Sequence, residues 1–282
     1  VHLWMQAKAV WPALKSPLVS TLGRLPNQDR SFGLMLLLQT PEYSLFSAAL
    51  PLLAAQSGTV TALCAFGLWY LLICGASLVL ASGEASPAQG GSARTGRTAL
   101  VGMLFMQIAI YCVWGFIDQL ARDQGISGVD IGWAFGLSAL GGLPGAGLPS
   151  LLGARVNRQL MIAVGLVAVF FSIAMLTGHT RTPMQLFVAL LLINFGWVLS
   201  LSYYMALITT NDPTGKLTPL VSITLMGAAA VTPALIAMLV EGSNQQLIFL
   251  LGTGALVIAF AVTCLGAGAK PARQGSVHDS TV

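Results

Sequence analysis

The sequence predicts an all-α polytopic membrane protein with eight transmembrane helices, on three observations. Of its 282 residues, 56% are hydrophobic and only 8% are charged, against about 25% charged in a soluble domain. Mean hydropathy is +0.81, and the apolar residues fall in long blocks rather than on alternating faces. The basic residues sort almost entirely to one side once the blocks are threaded back and forth across a bilayer. A soluble core of this length needs a polar surface, and there are too few charges to build one, so lipid is the expected solvent for most side chains.

A spanning helix needs about 20 mostly apolar residues at a rise of roughly 1.5 Å each. Eight segments qualify: 31–55, 59–82, 98–121, 129–152, 159–177, 184–208, 217–240 and 245–267. Pro41, Pro51, Pro144, Pro149 and Pro233 lie inside them, which membrane helices tolerate because neighbours satisfy the freed backbone groups. The runs are about twice as long as a barrel strand and lack its period-two alternation. Residues 1–30 differ: Lys8, Lys15, Arg24 and Arg30 interrupt them, and Pro12, Pro17 and Pro26 punctuate them. They read as a cytoplasmic stretch, and Leu3-Trp4-Met5 is too short for the apolar core of a signal peptide.

With the N-terminal stretch in the cytoplasm, the inner side receives Lys8, Lys15, Arg24, Arg30, Arg94, Arg97, Arg155, Arg158, Lys216, Lys270 and Arg273. The outer side receives only Arg122 and Arg181. An error of one helix would scramble this split, so the expectation is a multi-pass protein of a cell membrane, the bacterial inner membrane, with both termini cytoplasmic. The basic residues serve as topology signals, and no nucleic-acid partner is expected despite a pI near 9.0. Residues 83–97, rich in Gly, Ala and Ser, read as a cytoplasmic linker between two helices (31–82) and six (98–267), with 268–282 a cytoplasmic tail.

Ionisable groups at membrane depth are costly, about 2.5–3.5 kcal/mol for a central Asp, Lys or Arg. Glu42 lies near the middle of segment 31–55, with Gln39 three residues earlier and Tyr43 beside it. The functional reading is a solute contact or a protonatable coupling group; the structural reading is a neutral acid hydrogen-bonded to a neighbouring helix. On segment 98–121, Gln107, Tyr111, Trp114 and Asp118 follow i, i+4, i+7 and i+11, one polar-aromatic face suited to lining a cavity. On segment 184–208, Asn194, Trp197 and Tyr204 follow i, i+3 and i+10 with Ser200 nearby, and the deeper Asn194 and Trp197 suit cavity lining. The plainer alternative for Tyr203 and Tyr204 is as interfacial anchors, and Gly141, Gly145 and Pro149 read as points of close packing or bending.

Cys64, Cys74, Cys112 and Cys264 all sit in apolar runs without a Cys-x-x-Cys pair, as small buried hydrophobes do. His2, His179 and His278 lie outside the apolar runs, so no metal site and no cofactor are expected. There is no Gly-x-x-x-x-Gly-Lys-Ser/Thr loop and no Ser–His or metalloenzyme motif at depth, and no enzyme activity is expected.

Several stretches resemble proteins of the major facilitator superfamily. Asp29-Arg30-Ser31-Phe32-Gly33-Leu34 looks like the start of the family's fifth helix. Trp114-Gly115-Phe116-Ile117-Asp118-Gln119-Leu120-Ala121, followed by Gly125-Ile126-Ser127, resembles the outer end of the seventh. Asn211-Asp212-Pro213-Thr214-Gly215-Lys216 resembles the loop between the tenth and eleventh. Leu152-Gly153-Ala154-Arg155-Val156-Asn157-Arg158 looks like a decayed Gly-x-x-x-Asp-Arg-x-Gly-Arg loop, retaining Gly153, Arg155 and Arg158 but carrying Ala154 at the acidic position.

The resemblance covers about 17–267 and implies helices five to twelve of the family's twelve. On that reading the chain is N-terminally truncated, with 17–23 the remnant of a fourth helix, 31–82 two helices of the first half and 98–267 a complete second half. It implies a secondary active transporter of a small solute, working by alternating access with a coupling proton or ion. A fragment of this kind is expected to be inactive alone. The alternative is a non-transporting interaction or regulatory protein on the same scaffold. Thr40 to Leu53 contains no glycine, which departs from the fifth-helix signature of many drug–proton antiporters.

Overall fold

The computed structural model describes residues 22–23, 25, 27–80, 91–177, 182–239 and 245–267; inside the helices, the side chains of 42–52, 54–55, 59, 70, 73–80, 245 and 267 fall outside the described set. The candidate side chains of Glu42 and Tyr43 are therefore outside it, as are most of the fourth-helix remnant, 83–90 of the linker and the tail. Among the described residues all regular structure is helical.

The elements are α1 (Gln28–Ser57), α2 (Thr59–Leu80), α3 (Ala93–Trp114), α4 (Ile117–Asp123), α5 (Gly128–Ser138), a 3-10 turn (Ala139–Gly141), α6 (Gly142–Leu152), a second 3-10 turn (Gly153–Arg155), α7 (Arg158–Thr177), α8 (Pro183–Thr210), α9 (Thr218–Leu239) and α10 (Gln245–Ala267). Six spans are long and apolar enough to cross a membrane among the described residues: 93–123, 128–155, 158–177, 183–210, 218–239 and 246–266. α1 and α2 have 30 and 22 residues of helical backbone.

The helix ends have local causes. Thr182 caps α8, its side chain accepting from the Gln185 N–H at 3.2 Å, with Pro183 in the first turn, where its missing N–H costs nothing. Ser127 caps α5 by accepting from the Asp130 N–H, and Asn157 caps α7 by accepting from the N–H groups of Gln159 and Leu160. Asp212, almost fully buried, accepts from the N–H groups of Leu217 and Thr218 at 2.9 and 2.8 Å and so fixes the start of α9. The segment expected from residue 98 starts earlier, at Ala93, and breaks at Gly115, which packs against Pro233 of α9.

α8 is the hub. It packs against α7, α6, α5, α3 and α1, which explains why Tyr203 and Tyr204 are fully buried and not interfacial anchors. The Tyr204 hydroxyl meets Thr263 Oγ1 at 2.6 Å, tying α8 to α10. Glycine permits the closest approaches: a Cβ on Gly165 of α7 would lie 2.6 Å from the Gly196 carbonyl oxygen of α8, and one on Gly141 would lie 2.2 Å from that of Leu191. The outside of the bundle is apolar, with Leu38, Leu71, Leu151, Met238 and Leu265 all exposed, as lipid-facing side chains are.

Candidate functional site

At one end of the bundle the starts of α1, α3 and α7 meet the ends of α6, α8 and α10. Ser92 N–H donates to Asn211 Oδ1 at 3.0 Å, and a Cβ on Gly266 would meet Thr98. Arg94, Arg97, Arg155, Arg158 and Lys216 gather here, so we call it the basic end.

Gln107 of α3 stands fourteen residues from Ala93, about 21 Å along the helix from the basic end. It is 0% exposed, and neither its amide nitrogen nor its amide oxygen has a hydrogen-bond partner among the described residues. One and two turns further along the same face, Tyr111 and Trp114 converge on Trp197 of α8, with ring centroids 6.1 and 6.4 Å from it. Trp114 also meets Phe135 of α5 edge-on at 5.5 Å. Asn194, one turn from Trp197, donates to the Leu190 carbonyl at 2.8 Å and reaches Ser138 Oγ of α5 at 3.4 Å. Three helices thus bring rings, two amides and a hydroxyl to one mid-depth region.

Asp118 stands apart from the face expected to contain it. The break at Gly115 puts it on α4, where it pairs with Arg122 one turn on at 3.1 Å, side chains 37% and 57% exposed. This is a surface pair of little energetic weight. Gln39 is half-buried on α1 beside Thr40, whose hydroxyl donates to Leu36; no hydrogen bond or ring contact joins Gln39 to the aromatic group among the described residues.

The loop remnant forms a second arrangement. Arg158 holds Asp29 of α1 in a bidentate pair, Nε to Oδ1 at 2.8 Å and Nη2 to Oδ2 at 2.7 Å. Asp29 is 0% exposed and Arg158 22%. Arg158 Nη1 also donates to Thr210 Oγ1 of α8 at 3.0 Å, and Gln28 Oε1 accepts from the Thr209 and Thr210 hydroxyls. Above this latch, a Cβ on Gly33 of α1 would lie 2.7 Å from Ser150 Oγ of α6, so α1 and α6 are in close contact at this end. Gly153 and Arg155 belong to the neighbouring turn and do not join the latch.

In fold, the chain is similar to a bacterial homologue of the iron transporter ferroportin, solved by crystallography in an outward-facing state, with a TM-score of 0.59 and 16% sequence identity over 94% of this chain and 84% of that one. The two chains share a fold. No protein-family model matches the chain, and no curated protein matches it in sequence. The likeness in fold agrees with the polytopic helical bundle that the resemblance implied. Among the described residues, no group of three or more His, Cys, Asp or Glu stands close enough together to hold a metal ion.

Sequence reasoning missed Asp29, Thr210, Phe135 and Ser138 as site residues. Asp29 carried a signal: the loop remnant has Ala154 where the resemblance expects an acid, leaving its arginines without the acid of that loop. Phe135 and Ser138 gave none, since an aromatic and a serine in an apolar helix resemble ordinary packing.

Proposed function

We propose that this chain is a secondary active transporter that moves a small organic solute by alternating access, with a coupling proton or ion. We place it on a major-facilitator-type bundle of eight spans, with its basic end and both termini on the cytoplasmic side of a bacterial inner membrane. The observation that carries the reading is Gln107. An amide presents two donors and an acceptor, and each buried group left unpaired costs about 1–3 kcal/mol. A solute offering a complementary donor and acceptor at mid-depth recovers that cost. The rings of Tyr111, Trp114 and Trp197 beside it suit a planar or cationic organic group, and the basic-residue distribution supports the orientation. The latch and the close α1–α6 contact support a state closed at the cytoplasmic end, with the solute entering from outside.

The test is a binding screen of neutral and cationic organic solutes against the purified chain, read by the fluorescence of Trp114 and Trp197. A bound solute changes the emission, and Gln107→Leu weakens that binding at least about tenfold, equivalent to about 1.4 kcal/mol. Because leucine removes the unpaired amide, the same variant unfolds at an equal or higher temperature without solute. A Gln107→Leu chain that binds as the parent does, or that is strongly destabilised, would show a packing role only.

A further inference from the structure

A pocket of about 270 Å³ opens at the basic end, between the start of α1 and the turn after α6. Arg30 and Arg155 line it from two elements far apart in sequence, with Asn27, Leu151 and Leu152 completing the wall. Both arginines are exposed, and neither is paired with a carboxylate among the described residues. Asp29, the acid nearest in sequence, is consumed by Arg158 through both oxygens. Two guanidinium groups facing one concavity repel each other, and an anion between them reverses the sign of that interaction. Arginine's planar fork matches phosphate oxygens two at a time.

The pocket is also amphipathic. Leu151 is 81% exposed beside the arginines, so a cationic rim adjoins an apolar wall on the outside of the bundle. A free phosphate has no use for that wall, whereas a phospholipid puts its headgroup in the rim and its acyl chain along the leucine. We propose that this pocket binds the phosphate headgroup of an anionic phospholipid. Such an occupant touches α1 and the α6–α7 turn at once, next to where Asp29 and Arg158 join α1 to α7, and so favours the closed basic end. This last consequence rests on the transport reading; the binding site does not.

The experiment titrates phosphatidylglycerol into the delipidated full chain in neutral detergent and follows bound lipid and thermal unfolding. Phosphatidylglycerol binds and raises the unfolding midpoint, and Arg30→Gln/Arg155→Gln weakens its binding about 30-fold. Arg30→Lys/Arg155→Lys, which preserves charge if the glutamine variant folds poorly, loses less. Arg94→Gln/Arg97→Gln, at the same end of the bundle but outside the pocket, leaves the lipid effect intact. Equal stabilisation by inorganic phosphate would overturn the lipid assignment in favour of a free-anion site. Equal binding of phosphatidylcholine would reduce it to apolar contact, and an equal loss in the Arg94/Arg97 variant would overturn the pocket as its location. No solute enters the measurement, so a negative result leaves the transport reading standing, and a failed solute screen leaves this one standing.

Discussion

Asp29→Asn tests whether the basic end is held shut by a single ion pair. The substitution keeps the shape of the side chain and removes its charge. Two short charge-assisted bonds to Arg158 are lost, at 2.8 and 2.7 Å. Breaking a buried pair costs about 3–5 kcal/mol, because the surviving charge is left without a partner. Arg158 is 22% exposed and keeps its bond to Thr210, which places the loss near the lower end, about 3 kcal/mol. That cost falls only on the state in which α1 and α7 are together; once the end opens, both groups are hydrated. A difference of this size shifts the closed-to-open ratio about 100-fold. Ser150→Cys, buried under Gly33 of α1, reports the opening in a background with the four native cysteines replaced. Its labelling by an impermeant maleimide in inside-out vesicles rises by up to that factor in Asp29→Asn. Adding Arg158→Gln, which removes the stranded charge, restores much of the protection. An unchanged labelling rate with a lowered unfolding midpoint would refute the latch and leave a structural pair.

Two further outcomes are expected. Gly165→Ala puts a Cβ 2.1 Å from Ser200 Oγ and 2.6 Å from the Gly196 carbonyl, so thermal unfolding should register a loss of about 1–3 kcal/mol; Gly147→Ala, with nothing within 4 Å, should change stability by less than about 0.5 kcal/mol. In the complete transporter, Glu42→Gln is expected to lower the transport rate per inserted molecule and flatten its dependence on pH, with membrane abundance near that of the unsubstituted form; superimposable pH profiles for the two forms would remove Glu42 from the site.

The spans were legible because lipid imposes one rule along their whole length: about 20 apolar residues with the backbone satisfied internally. The start of α8, expected at 184 from its apolar run, lies at Pro183 in the structure. The early start of α3 at Ala93 could not be read, since Arg94 and Arg97 make its first turns polar where they lie beyond the apolar layer. Helical spacing put Tyr111 and Trp114 on one face, and both rings lie against Trp197, but extending that face to Asp118 assumed an unbroken helix through Gly115. The Asp29–Arg158 pair joins residues 129 positions apart, and no periodicity within either segment reports such a contact. For Tyr203 and Tyr204 the sequence could not exclude the anchor reading, because a terminal tyrosine looks the same whether its helix lies at the rim or at the centre. The number of neighbours around α8 decides between the two, and that is a property of the assembled bundle.

The two arrangements share α8. Asn194 and Trp197 belong to the mid-depth group, while Thr209 and Thr210 join the latch. Thirteen residues, about 20 Å of unbroken helix, separate Trp197 from Thr210, with Gly196 locked against α7 through contacts too close for any side chain. A helix pinned in this way moves as a body or hardly at all. On the proposed transport reading, a solute that draws Trp197 toward Gln107 carries Thr210 and Arg158 together, so the displacement falls on the bonds from Arg158 to Asp29 of α1, and loosening those bonds in turn alters the spacing of the rings. Coupling of this kind is reciprocal. Asp29→Asn, which touches no ring, should then change the affinity read by the tryptophans, and a bound solute should change the labelling of Ser150→Cys. If each perturbation leaves the other readout unmoved, α8 carries no information between the two ends, and the aromatic group and the latch are independent features of one scaffold.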